Sequence, residues 1–412
     1  MQNQWTWEKR GFAEFRKGTF GNGGHNLYVS AKGVLQRIYQ FDLDKNGYVD
    51  LVFANCQNHH EAAPSYVYQQ DGSRVSLPGQ GALSGFAADL TGDGYLDIVV
   101  AGHYDMAAPY ASSDIYYGSE EGYSEKYHIK LPTPFAKDCC CGDFKGNGKQ
   151  MLVFAMPVYG KIRIFEQTKV GFEWNGYVDL EIEAAQVAAA DLDGDGYADL
   201  IVRGKDTTET VIYWGSELGI TVEKKSVLPA LAPEEVLMAE EEQSLQSEME
   251  KKEQAVRRLQ SVVWNGQNCF TLSTGKKLCF YAGNSKRELE RVLELEIPMV
   301  QSVAVGDVDG DGYEDLVAAS VARNEEDHAK QCSFIIWNGP EGLDNRPRTI
   351  LDTASACDVA IKDGKVLICQ GDIDSESLFC EFSHAFTIVC KRECLTWRGQ
   401  GRNIKRDEIA HG

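Results

Sequence analysis

One phrase recurs along the chain, and a recurring phrase constrains architecture more than any propensity. A unit too small to bury its own faces must stack on copies of itself. The phrase reads FDLDKNGYVDLVFAN from Phe41, AADLTGDGYLDIVVAG from Ala87, CGDFKGNGKQMLVFAM from Cys141, AADLDGDGYADLIVRG from Ala189 and VGDVDGDGYEDLVAAS from Val305. A worn copy, ACDVAIKDGKVLICQG, begins at Ala356. Marked by their first aspartates (Asp42, Asp89, Asp143, Asp191, Asp307, Asp358), the copies stand 47, 54, 48, 116 and 51 residues apart. The long interval is about two units. It predicts a diverged copy inside the gap, and VVWNGQNCFTLSTGKKLCFYAG from Val262 has the strand-turn-strand rhythm for it.

A second phrase follows the first: SYVYQQDG at Ser65, SDIYYGSEEGY at Ser113, TVIYWGSELGI at Thr210 and SFIIWNGPEGL at Ser333. A β-branched and aromatic run ending in Gly reads as a strand entering a turn. Each unit then carries about four short strands, the content of a propeller blade. The expected fold is all-β, a seven-bladed β-propeller in a single domain over residues 1–412. It becomes eight-bladed if the tail after His384 forms its own sheet. The half-unit HNLYVSAKGVL from His25 has no marker and suggests a ring closed by strands from both termini. Between blades four and five, residues 232–261 read APEEVLMAEEEQSLQSEMEKKEQAVRRLQS, strong helix formers with Leu245, Met249, Val256 and Leu259 at helical spacing, and predict a helical insertion.

The first phrase also carries chemistry. D-x-D-G-D-G-x-x-D sets oxygen-bearing side chains at its positions 1, 3, 5 and 9 around glycines that let the loop curl, and hard Ca²⁺ takes about six to eight oxygens. Two copies are complete: Asp191, Asp193, Asp195, Asp199 and Asp307, Asp309, Asp311, Asp315. Two more have one carboxylate replaced: Asp42, Asp44, Asn46, Asp50 and Asp89, Thr91, Asp93, Asp97. A lone Asp-Gly cluster is only a turn signal. Four in register, each before an apolar strand, predict about four structural Ca²⁺ ions. The third copy keeps Asp143 and Asn147 but has Lys145 and Met151 at ligand positions, so that a Lys ammonium is expected where the cation would sit.

On these repeated motifs the chain resembles the FG-GAP/VCBS repeat family, best known from the seven-bladed propeller of integrin α-subunits. The resemblance runs from about Phe20 to Cys380. It implies that each Asp loop joins the two innermost strands of a blade and binds Ca²⁺.

If so, the next loop of each blade emerges on the opposite face. Those loops read NCQNHHEAAPS, GHYDMAAPYASS, MPVYGK, RGKDTTE, ARNEEDHAKQ and QGDIDSES. They hold His59, His60, His103 and Tyr104, with Asn55, Asn58, Tyr110, Tyr159, Arg203, Lys205 and Arg323. Aromatic rings stack on sugar rings, amides and imidazoles pair with hydroxyls, and guanidinium meets a uronate carboxylate. The leading expectation is therefore a calcium-stabilised propeller that recognises a carbohydrate, uronate-containing sugars included. The alternative is a carbohydrate-active enzyme, a polysaccharide lyase in which His59, His60, His103, Tyr104 and Arg203 abstract a proton and stabilise an enolate. A further alternative is a protein-interaction platform engaged through the rim and the insertion.

Charge narrows the field. With 62 acidic and 41 basic side chains the formal charge is −21, which disfavours nucleic acid and anionic membrane surfaces. No apolar run approaches the roughly 18 residues of a membrane helix, so no membrane insertion is expected. The start MQNQWTWEKR lacks the apolar core of a secretory signal, which places the chain in the cytoplasm, or outside the cell if the N-terminus is truncated. Twelve scattered cysteines, three of them adjacent at Cys139, Cys140 and Cys141, indicate reduced thiols and neither a zinc site nor a disulfide framework.

Overall fold

The computed structural model describes residues 33–41, 50–57, 65–68, 74–79, 82–103, 112–204, 209–228, 259–273, 277–297, 300–320, 333–343, 348–351, 353, 356–362, 364–370, 376–382 and 388–394. Its strands are β1–β4 (Gly33–Phe41, Asp50–Gln57, Ser65–Tyr68, Arg74–Leu77), β5–β8 (Ala82–Ala88, Asp97–Gly102, Ser113–Tyr116, His128–Leu131) and β9–β12 (Asp138–Gly142, Met151–Met156, Lys161–Glu166, Tyr177–Leu180). Next come β13–β16 (Gln186–Ala190, Asp199–Arg203, Thr210–Tyr213, Lys225–Leu228) and β17–β20 (Gln260–Trp264, Gln267–Ser273, Leu278–Gly283, Leu289–Leu295). The last are β21–β24 (Val300–Gly306, Asp315–Ser320, Ser333–Ile336, Thr349–Leu351) and β25–β28 (Ala356–Lys362, Lys365–Gln370, Glu376–Phe382, Ile388–Cys394).

Each group of four pairs in chain order into one four-stranded antiparallel sheet. The first strands touch in succession from β1 to β25, and β25 touches β1, so the sheets stand around a common axis. Five of the sheets, β5 to β24, are described with side chains along every strand, two fewer than the seven blades read from the repeats. The sheets β1–β4 and β25–β28 are described by their strand pairing and by single side chains.

Every described sheet consists of four consecutive strands; Gly33, Val34 and Leu35, the end of the half-unit from His25, open the inner strand β1 of the first, and residues 25–32 lie outside the described residues. Of the tail after His384, Ile388–Cys394 are described, and they form β28, the outer strand of the last sheet. The helix expected over residues 232–261 lies outside the described residues up to 258. Its last three residues are not helical: Leu259 is buried coil, and Gln260 and Ser261 open β17. Tertiary pairing with β18 overrides their helical spacing.

Apolar residues on both faces of each sheet explain why the blades must stack. Val99, Ile115 and Leu131 pack on Leu152, Phe154 and Phe165 of the following sheet. Ile201, Ile212 and Trp214 pack likewise on Phe270, Leu272 and Tyr281. At the start of the inner strands a polar belt joins neighbours. Ser84 Oγ donates to Asp138 Oδ1 at 2.6 Å, and Asp138 Oδ2 accepts the Val187 N–H at 3.0 Å. Gln186 accepts the Leu259 N–H, Gln260 that of Val303, and Ser302 donates to Asp358. Blade-to-blade contacts are thus hydrogen-bonded as well as packed.

The two sequence phrases meet at one residue. The Gly closing the second phrase donates its N–H to the ninth-position Asp of the first: Gly118 to Asp97 and Gly215 to Asp199, both at 2.9 Å. Asn338 does the same for Asp315 at 2.8 Å. At Gly118 and Gly215 the backbone lies too close for a side chain: a Cβ at Gly215 would stand 2.3 Å from the Ala198 carbonyl oxygen. Gly215→Ala is expected to destabilise the protein by about 2 kcal/mol or more. A urea midpoint equal to that of the parent would disprove this.

Among the described residues no helix is long and apolar enough to cross a membrane. Burial pushes Cys141 up to about 12, so it is protonated and unreactive at neutral pH.

Candidate functional site

The Asp loops lie between the first and second strands of their sheets. Three four-carboxylate or near-complete copies are described, and each is wound the same way. Asp89 accepts the N–H groups of Gly92 and Gly94 at 2.7 and 2.8 Å. Asp191 accepts those of Gly194, Asp195 and Gly196, and Asp307 those of Gly310, Asp311 and Gly312. The glycines take positive φ, 74° and 88° at Gly194 and Gly196, which is why the motif spells G-D-G. The fifth-position residue folds back similarly, with Asp93, Asp195 and Asp311 accepting the N–H two residues on. Thr91 is exposed at the third position of its loop.

Position nine does something else. Asp97, Asp199 and Asp315 are fully buried, and each accepts two backbone N–H bonds. One comes from the residue after the first Asp (Leu90, Leu192, Val308), each at 2.9 Å, and the other from the end of the third strand. Burial pushes these carboxyls up, to about 6 for Asp97, about 7 for Asp199 and about 6 for Asp315; the N–H bonds oppose it and the neighbouring aspartates add to it.

The third copy shows that the winding needs no complete ligand set. Asp143 still accepts the N–H groups of Asn147 and Gly148, while Met151, at position nine, is buried. Lys145 does not sit where a cation would. Its Nζ pairs with Glu166 Oε2 on β11 at 2.6 Å, a solvated partner reached at lower desolvation cost than the loop centre. In the diverged fifth unit the loop is gone. Trp264 pairs with Gln267 across a two-residue turn, Asn265 and Gly266, with φ of 50° and 73°. Asn-Gly is the composition such a tight hairpin requires.

Two carboxylate clusters have the spacing for an ion. In the sixth sheet, oxygens of Asp307, Asp309 and Asp315 lie within 4.8 Å of one another; in the fourth, those of Asp191, Asp193 and Asp195 do. Two oxygens at about 2.4 Å from a shared Ca²⁺ can be no farther apart than that. The all-oxygen set in the sixth-sheet loop fits calcium. The fourth-sheet set is contested, because Arg287 holds two of its carboxylates. Of the first loop, Asp42, Asp44 and Asn46 lie outside the described residues, and Asp50 opens β2.

On the opposite face, the structure brings together two of the expected residues and adds one. His103 follows β6, and Tyr159 sits in a short 3-10 turn, Pro157–Tyr159, after β10. Between them lies Phe135, in the link from β8 to β9, with ring centroids 6.1 Å from His103 and 6.2 Å from Tyr159. Tyr159 is 43% exposed and the adjacent Val158 63%. Phe135 has φ of 57°, a left-handed backbone that a bulky residue adopts only at a cost of about 1 kcal/mol or more. No repeat or motif marks Phe135 in the sequence; the link lengths vary from blade to blade.

Arg203 does not join this surface. Its side chain, at the end of β14, is 4% exposed, and burial pulls its guanidinium down to about 10. Asn55 lies in β2, paired in register with Leu35. His59, His60, Asn58, Tyr104, Tyr110, Lys205 and Arg323 lie outside the described residues.

Comparison with known proteins follows the same repeats. Residues 42–100 and 143–202 match the FG-GAP-like repeat family, and residues 299–322 match the FG-GAP repeat. No curated protein matches the chain. Among solved structures the fold is similar to a protein from Lactobacillus plantarum, with 9% identity over 85% of this chain and 92% of that one at a TM-score of 0.48. It is also similar to a putative 6-phosphogluconolactonase from Bacteroides fragilis NCTC 9343, with 12% identity over 86% and 91% of the two chains at a TM-score of 0.46. The chain thus carries FG-GAP-type repeats on a β-propeller fold.

Proposed function

We propose that this propeller is a calcium-stabilised recognition module that binds a carbohydrate on the face opposite its Asp loops, through His103, Phe135 and Tyr159. The observation that carries the reading is the aromatic surface those residues make. Three rings from two neighbouring blades converge on one accessible patch, and the central ring is held there against backbone strain. Strain of that kind collects at ligand clamps. Stacking aromatic faces suit the apolar face of a pyranose, and the imidazole supplies a polar edge for hydroxyls. The hydrogen bond beneath, from Ser84 to Asp138, fixes the spacing of the two blades. The burial of Arg203 weighs against the lyase alternative.

Calcium belongs to this proposal as a scaffold ion. Asp307, Asp309 and Asp315 would hold it in the sixth-sheet loop, where it would cancel carboxylate repulsion and pull the raised Asp315 carboxyl back to its charged form.

The test is a glycan array carrying neutral and uronate-containing oligosaccharides, followed by titration with the best binder. Tyr159→Ala and Phe135→Gly are each expected to weaken binding by about tenfold. Glycine removes the ring while keeping the positive φ. Binding that survives both substitutions, or an array with no signal, would overturn the reading.

A further inference from the structure

The fourth-sheet loop has one of the two complete motifs in the chain, yet the next blade reaches into it. Asn268 Nδ2, on β18, donates to the Asp191 carbonyl at 2.8 Å. The turn between β19 and β20 begins at Gly283, where a Cβ would stand 3.0 Å from the Leu192 carbonyl oxygen, so glycine lets the turn lie close against the loop. Asn284 then shapes the turn: its side-chain oxygen accepts the N–H groups of Lys286 and Glu288, and its carbonyl that of Arg287.

Arg287 itself takes φ of 64°. Its carbonyl accepts Ser226 Oγ at 3.2 Å, and its guanidinium lies over the Trp214 ring at 5.4 Å. Trp214 in turn donates to Ser226. The outcome of this arrangement is a fork into the loop. Arg287 Nε meets Asp193 Oδ2 at 3.0 Å and Nη2 meets Asp195 Oδ2 at 3.1 Å. The Asp193 side chain is only 3% exposed, so the pair is shielded on the carboxylate side.

We infer that Arg287 is the resident cation of the fourth-sheet loop and excludes a divalent ion from it, so that this loop is an ion-paired joint between two blades and not a calcium site. A guanidinium satisfies two carboxylates at once with fixed geometry. Calcium would have to take the same oxygens while a positive charge stayed within a few ångströms, or else force the whole turn away. The sixth-sheet loop has the same four aspartates, so the difference between the two does not lie in the motif. It lies in what the neighbouring blade presents. The contrast rests on the calcium reading of the sixth-sheet loop; the role of Arg287 does not.

The experiment is calcium titration calorimetry on the full chain after chelation, with far-ultraviolet circular dichroism to confirm folding. Asp193→Asn is expected to leave the number of calcium sites unchanged, Asp309→Asn to remove one, and Arg287→Gln to add one. Loss of a site in Asp193→Asn overturns the inference, as does a folded Arg287→Gln that gains none. Should Arg287→Gln fail to fold, Asp193→Asn decides alone. If instead Asp309→Asn changes nothing while Arg287→Gln gains a site, the calcium reading of the sixth-sheet loop fails and the role of Arg287 stands.

Discussion

Asp199→Ala is expected to lower the unfolding free energy by about 3 kcal/mol. The carboxylate is fully buried and ties three segments together: the N–H of Leu192 at the loop start, the N–H of Gly215 at the end of β15, and its own strand β14. Alanine leaves two buried donors unmet, each worth about 1–3 kcal/mol. Part of that loss is returned, because the buried carboxyl is itself under strain, as its rise to about 7 records. Asp97 and Asp315 have the same two partners by position and should behave alike. Exposed Asp93, with a single N–H to hold at the loop surface, should cost at most about 1 kcal/mol. Equilibrium urea unfolding measures the difference. Equal midpoints for Asp199→Ala and Asp93→Ala would show that the ninth position is only a loop residue.

The contrast between those two aspartates explains how far the sequence could be read. Local features were legible because they repeat and because short-range chemistry dictates them. The G-D-G spacing demands two positive-φ glycines around an Asp that collects their N–H groups, and the Asn265-Gly266 pair demands a tight hairpin. The order of strands followed from the same repeats. Contacts between blades were not legible. Phe135 meets Tyr159 and His103 across a blade boundary, Arg287 meets Asp193 at a distance of 94 residues, and Gln186 holds Leu259 beyond the inserted segment. None has a fixed offset from a motif, since link and insertion lengths differ between blades. The same blindness missed the partner of Lys145, which is Glu166 on the next hairpin rather than the loop beside it, and the burial of Arg203, which depends on neighbouring sheets.

Chelation provides the second large effect. With the proposed calcium in the sixth-sheet loop at free concentrations about a hundredfold above its Kd, binding would add about 2.7 kcal/mol to stability. Excess chelator should then lower the melting temperature by about 3 °C. The reason is visible in the ion-free cluster: three carboxylates with oxygens inside 4.8 Å, one of them buried and pushed up to about 6. Without a divalent charge they repel, and protonation is the only other relief. Magnesium should restore less than calcium, because it demands near-octahedral geometry at shorter distances and sheds water reluctantly. Asp309→Asn should reduce the chelator effect, since it removes one of the clustered charges. Asp193→Asn should not, because its loop is already neutralised in part by Arg287. A melting temperature that is the same in chelator and in millimolar calcium would rule the ion out of the scaffold. The Asp loops would then be hairpins held by their own N–H bonds, as the loop at Asp143 already is.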